Sequence, residues 1–383
     1  MSIELAALGT ARALRATLIL EPVDGPGGRV FPMTVKGGLH VVEEGPDGRR
    51  VLVDSCASQA NRQELALLGA RQAGQIELAD IVVDLSGTEA GRESISTLEM
   101  PHRVADAILR DSEIDGVSFT QSRIGTRILG APARNVTPIL EASPSSLLFG
   151  VWFSQHGLGN HGLKVERAAV SEIWGHGAQL GKTVSSRIDP LGLVDLDIYR
   201  SPDGQWTADP DDAARDAKGN PVLYVRPNRK PKTSSLNHSN IPPTIVQRGV
   251  ICERYEMRWA LSGAALRRLG FGGPTDKDEA ARRYLMALGL AARVLEHEEG
   301  YHLRSRCDLL AKGPLAVEVI GRNGEVSEHE VDAESAITLL HRAQADLVEA
   351  GFAPPRIIEA RPSKRLVGLI AKSREAAPEE EAA

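Results

Sequence analysis

From Leu14 to Glu21 apolar and polar positions alternate with a period of two. Leu14, Ala16, Leu18 and Leu20 share one face and Arg15, Thr17 and Glu21 the other, with Ile19 as the exception. This alternation predicts a first strand buried on one side. After a glycine-rich turn, VKGGLHVVEEGPDGRRVLVD predicts a strand pair joined by PDG. The period then lengthens. Val51, Leu52 and Val53 end a strand, and Asp54 or Ser55 can cap a helix. Helical spacing puts Ala57, Ala60, Leu67 and Leu68 on one side, with Glu64 interrupting them, and Ser55, Ser58, Gln59 and Arg62 on the other.

Further on, LADIVVDLSG (78–87) and LLFGVWFS (147–154) read as buried strands, and MPHRVADAILRDS as a helix after Pro101. In VICERYEMRWAL, Ile251, Tyr255, Met257, Trp259 and Leu261 point inward, and Arg254, Glu256 and Arg258 outward. Ser262 begins a short helix to Leu269. Asp276 and Glu279 form a capping-box pattern ahead of the stripe Ala281, Leu285, Leu288, Ala292 and Leu295. YHLRSRCDLL and LAVEVIG are expected strands, and Asp332 starts a helix with Ala336, Leu340, Ala343 and Leu347 inward. RIIEA and RLVGLIA are expected to close the sheet. The order is α+β and suits an RNA-recognition-motif (ferredoxin-like) core with long insertions. Residues 1–383 then form one domain, with a helical insertion at about 91–145 and a second at 195–247, where periodicity fails and Asp, Pro, Gly and Asn dominate.

Composition narrows the class. The chain has 383 residues, 42% of them hydrophobic, enough for a sizeable core, and no apolar run long enough to span a membrane. The N-terminus carries Glu4 and alternating polarity, unlike a secretory signal. Cys56, Cys252 and Cys307 are far apart and include no CxxC, so neither a disulfide framework nor a zinc finger is indicated, and a reducing cytoplasm is the expected compartment. The net charge is −6, of which Glu375, Glu379, Glu380 and Glu381 supply four in a Pro/Ala tail (375–383) expected to be disordered. Placement of charge, not its sum, must carry any nucleic-acid reading.

Several placements suit a polyanion. The first turn of the 56–72 helix offers backbone N–H groups with Ser58, Gln59 and Arg62, a set that fits phosphate at a helix N-terminus, although an ordinary capped helix has the same pattern. Gly28 and Arg29 close the glycine-rich turn, which lacks GxGxxG or a following GKS or GKT. His102 and Arg103 open the expected helix after Pro101. Lys164 and Arg167 flank a strand, and Arg187 lies in the turn-rich SSRIDPLG, where pairing with Asp189 is the alternative. In the 195–247 insertion Arg226, Arg229, Lys230 and Lys232 stand beside Asn237 and His238, a mixture suited to single-stranded nucleic acid. His156, His161 and His176 match no metal-binding spacing, and no cofactor is indicated.

The stretches RVFP (29–32), VDSCASQANR (53–62), HRVADAILRDSEIDG (102–116), LLFGVWFS (147–154), RAAVSEIWGHGA (167–178), SRIDPLG (186–192), LNHSNIPP (236–243), ALRRLGF (265–271) and YHLRSRCDL (301–309) occur in one order. Together they resemble the backbone subunit of the type I-G (I-U) CRISPR Cascade complex, of the RAMP superfamily, over about residues 14–310. The wider family carries Ser-Ser-Gln-x-x-Lys-Arg at its first helix; here Ser58, Gln59 and Arg62 fall near it, with Asn61 where a lysine often stands. The resemblance implies a non-catalytic subunit that binds CRISPR RNA, assembles with copies of itself head to tail beside other Cascade subunits, and meets target DNA through the guide, with 195–247 as the candidate thumb. The rival is a metal-dependent ribonuclease of the same superfamily using Asp209, Asp211 and Asp212. A nucleotide-binding enzyme built on Gly25–Gly28 lacks any Walker or Rossmann context.

Overall fold

Strand β1 (Ala13–Pro22) is central because its alternation leaves one whole side apolar: Leu14, Ala16, Leu18 and Leu20 are all buried. In the computed structural model, which describes residues 3–45, 48–153, 163–226 and 229–376, β1 is the middle of the largest sheet. Its members, in chain order, include β2 (Val42–Gly45), β3 (Gly48–Asp54), β7 (Ala169–His176), β10 (Arg254–Ser262), β11 (Tyr301–Arg304), β12 (Cys307–Ala311), β13 (Ala316–Ile320) and β14 (Val326–Glu330). The remaining strands named below are β4 (Asp80–Asp84), β5 (Val151–Trp152), β6 (Lys164–Val165), β8 (Gln179–Arg187), β9 (Ile241–Ile251) and β15 (Ile357–Pro362). The main sheet runs β11-β12-β1-β10-β7-β3-β2, with β13 also on β1 and β14 on β13, all pairs antiparallel. On one edge of β1, Ala13–Arg15 face β13 and Leu20–Pro22 face β12; β10 lies along the other edge from Ala13 to Leu20.

Two helices cover the apolar face. Helix α2 (Cys56–Gln72) follows β3, and α3 (Thr275–Glu299) follows β10; α1 (Leu5–Thr10) and α4 (Ala333–Glu349) pack against α3. From Tyr284 to Glu296 every residue of α3 is buried, as expected of a helix apolar on nearly all sides. Gly289 brings it close to the sheet: a Cβ there would lie 2.7 Å from Leu261 Cδ2. Each fully buried leucine of this layer contributes roughly 1.5–3 kcal/mol. Helix α4 begins as expected, with Asp332 accepting from the Ser335 N–H and Ala336, Leu340, Ala343 and Leu347 buried.

Several expectations fail for identifiable reasons. LLFGVWFS is not one strand: Ser145–Phe149 is helical, Gly150 (φ 84°) breaks it, and only Val151–Trp152 is extended, paired with Lys164–Val165. A short apolar run carries no periodicity to separate helix from strand. The helix after Pro101 is two short turns, Arg103–Ala105 and Ala107–Arg110, parted by Asp106, whose extended backbone and carboxylate cap the second. RIIEA is a strand, β15, but it pairs in parallel with β4 in a separate five-stranded sheet. RLVGLIA lies in helix α5 (Lys364–Ala376), started by Ser363. Helix α3 begins at Thr275 with no side-chain cap, and Asp278 instead accepts from the Phe271 N–H. Glu256, expected outside, is buried. The expected PDG turn at 46–47, His156, His161 and the tail beyond 376 lie outside the described residues.

Residues 1–179 and 250–375 form one unit, and Leu180–Gly249, which contains the 195–247 stretch, forms another. The second is built on the β8–β9 ribbon and a small hairpin of Tyr199–Arg200 with Trp206–Thr207.

Candidate nucleic-acid interface

The start of α2 is held by what precedes it. Ser55 caps the helix, accepting from the Ser58 N–H at 3.3 Å. Asp54, the last residue of β3, is wholly buried and accepts from Gln59 Nε2 (2.9 Å), Arg62 Nε (3.1 Å) and Arg304 Nη2 (2.6 Å). Arg62 also donates to the carbonyls of His302 and Leu303, and Arg304 to that of Val53. The β11–β12 turn is thereby tied to the helix start. The same turn meets the glycine-rich loop: the Phe31 N–H donates to Arg306 O, and the Arg306 guanidinium lies 3.9 Å from the Phe31 ring centroid. The end of the glycine-rich loop and the start of α2 thus both contact one hairpin, whose arginines, Arg304 and Arg306, were not among the expected site residues. The RSR spacing in YHLRSRCDLL is the signal that could have found them. A side chain at Gly28 would require the Asp24 carboxylate to move and would press on the Gly25 carbonyl, 2.9 Å from its Cβ.

Two expected phosphate contacts are interior instead. Gln59 is buried, and its amide bonds Asp54, Ser171 Oγ (2.9 Å) and Arg293. The helix is rolled relative to the expected amphipathic face, so Ala57 is exposed while Gln59, Gln63 and Glu64 are buried. Arg103 is also buried, forking onto Glu64 (2.7 and 2.6 Å) and donating to Gly150 O. Neither guanidinium nor amide is directed to solvent. His102 is exposed, with its backbone N–H on Asp106. Lys164 and Arg167 are exposed, and Arg167 Nη1 lies 3.0 Å from Cys56 Sγ at the start of α2.

In the second unit Arg187 does not pair with Asp189. It donates to Asn237 Oδ1, His238 O and Ser239 O, while Asp189 accepts from the Leu191 and Ser239 N–H groups. Backbone hydrogen bonds from Leu191 and Ser239 hold the Asp189 carboxyl below its ordinary value. Arg187, Asn237 and His238 are thus together, and His238 lies 5.9 Å from the Trp206 ring. Lys232 pairs with Asp197, Arg229 and Lys230 are exposed, and Arg229 Nη1 reaches Ser235 O at 3.4 Å. Asp209, Asp211 and Asp212 are exposed turn residues, with Asp211 near Arg215. Among the described residues no three His, Cys, Asp or Glu side chains are grouped to hold a metal ion, and no helix is long and apolar enough to cross a membrane.

The uncovered face of the main sheet is concave, with a cavity of about 870 Å³. Its cations are matched: Arg15 with Glu318, Arg50 with Glu43, Arg258 with Glu256. Arg50 also stacks 4.2 Å from the Trp174 ring, whose Nε1 donates to Glu172.

Beneath α2, Arg293 and Glu296 form a wholly interior pair at 3.0 Å. Burial, opposed by Arg293, pushes Glu296 up to about 7. Between its ordinary value of 4.5 and 7 the folded chain therefore binds more protons than the unfolded one, and stability falls as pH rises through that window. Glu296→Gln is expected to remove this share of the fall, up to about 3 kcal/mol, in urea titrations at successive pH values. An unchanged pH profile would show that Glu296 is ionised throughout.

Residues 14–180 match a family described as CRISPR-associated protein GSU0053. Comparison with curated proteins gives no match. Among solved structures the chain is similar to one of a "CRISPR RNA-guided surveillance complex, pre-nicking", at 11% identity over 94% of this chain and 99% of that chain, TM-score 0.35. It is also similar to Csc2 of Thermofilum pendens, at 10% identity over 92% and 82%, TM-score 0.26. Likenesses this slight decide nothing about fold or chemistry.

Proposed function

We propose that the chain is a non-catalytic backbone subunit of a type I-G Cascade surveillance complex, binding CRISPR RNA and assembling head to tail along it. The observation that carries this reading is the match of residues 14–180 to a family of CRISPR-associated proteins. Topology supports an RNA-recognition-motif-like core. The order β1, α2, β7, β10, α3, β12 gives a sheet β12-β1-β10-β7, the split βαβ arrangement. Both helices cover one face, since Gln59 of α2 bonds Ser171 of β7, and Gly289 of α3 lies against Leu261 of β10. On this reading residues 195–247 serve as a thumb. A head-to-tail interface that does not close gives an open filament. Pairing with the guide then reads target DNA while protein holds the backbone.

The test is co-expression with the other subunits and a CRISPR array. The complex is expected to purify with a guide of defined length, and RNA binding to fall by ~0.7 log units per log unit of salt for each phosphate held. Purification free of RNA, with assembly indifferent to the array, overturns the reading. Mg²⁺-dependent RNA cutting abolished by Asp211→Ala replaces it with a ribonuclease.

A further inference from the structure

Trp152 is 68% exposed, the greatest exposure among the large aromatic side chains described. It stands on β5 directly opposite Lys164 of β6. Val151 and Val165, the neighbouring pair, are buried, so alternation turns the indole and the ammonium to the same outer face. Arg167, two residues beyond β6, is also exposed. Its stem lies against Gly150, where a Cβ would come within 2.9 Å of Arg167 Cγ, and its Nη1 reaches Cys56 at the helix start. Glu166, the carboxylate between them in sequence, faces Arg268 at 3.5 Å. An open π-face and an ammonium thus share one outer face, with an exposed guanidinium three residues beyond the lysine.

We infer that Trp152 is a stacking platform for an unpaired base of single-stranded RNA whose phosphates are held by Lys164 and Arg167. The inference rests on the RNA-binding reading above and adds a residue and a chemistry to it. Stacking on an aromatic side chain tolerates any base, because every base has a π-face, and flanking cations supply the backbone contact. Both are needed by a protein that holds a guide without reading it. The ribbon itself is pinned from beneath, since the buried Arg103 donates to Gly150 O, one residue before β5. The platform is therefore held in place before any ligand arrives.

The experiment measures binding of the full chain to a fluorescently labelled oligoadenylate, with thermal unfolding as a control for folding. Trp152→Ala is expected to weaken binding about 5- to 150-fold with an unchanged salt slope, and Trp152→Phe to restore most of it. Lys164→Ala and Arg167→Ala are each expected to lower the slope by ~0.7. A fully paired RNA duplex is expected to show no dependence on Trp152. Wild-type affinity in Trp152→Ala, with wild-type chain binding RNA normally, overturns the inference and leaves the functional reading standing. Loss of self-association with RNA affinity intact assigns Trp152 to a protein contact and also overturns it. A wild-type chain that binds no RNA, alone or in its complex, sinks both.

Discussion

Arg103→Ala is expected to destabilise the fold by about 3–5 kcal/mol in chemical denaturation. The guanidinium forks onto Glu64 and holds Gly150 O, all within the core and 5.6 Å from the Phe149 ring. Removing it strands a carboxylate that burial already pushes up to about 7 against the pull of Arg103. Without its partner Glu64 is expected to take up a proton, so the loss is smaller at pH 5 than at pH 8. The double variant Glu64→Leu with Arg103→Met is expected to recover most of it, because two apolar side chains of similar volume need no counter-charge. A loss under 1 kcal/mol in the single variant would mean that the pair is not what ties α2 to the chain around Gly150.

Glu64 and Arg103 also mark where the sequence stops being legible. Alternation in β1 and β10 and the stripes of α3 and α4 are visible because each element buries one kind of residue on one face. Helix α2 obeys no such rule. Its inner face carries Gln59, Gln63 and Glu64; Gln59 bonds Ser171 and Arg293, and Glu64 bonds Arg103, all far away in sequence. A polar residue whose partner is remote reads as solvent-facing, so Gln59 and Arg103 look like phosphate contacts until the fold joins them to those partners. Trp152 is hidden for the opposite reason. Inside LLFGVWFS it looks like core, and only the break at Gly150 turns it outward. Lys164 and Arg167 are exposed, but the aromatic opposite Lys164 comes from another strand.

Arg62→Glu, the charge reversal that best tests a phosphate contact at the start of α2, is expected to fail first as a folding variant. Arg62 is only partly exposed, and its Nε lies 3.1 Å from a carboxylate with no accessible surface. A glutamate there would face Asp54 and release the carbonyls of His302 and Leu303. Repulsion at a buried carboxylate together with those lost bonds is expected to cost about 3 kcal/mol. Asp54→Ala should cost at least as much, because Gln59 and Arg304 lose a shared buried acceptor along with Arg62. Arg62→Gln keeps one donor and adds no negative charge, so it is expected to melt above Arg62→Glu and below wild type, while lowering the salt slope of RNA binding by ~0.7 if the guanidinium also meets phosphate. Thermal melts of the three variants decide the order. Arg62→Glu melting like wild type but failing to load RNA would make Arg62 a phosphate ligand before it is a brace for the β11–β12 turn.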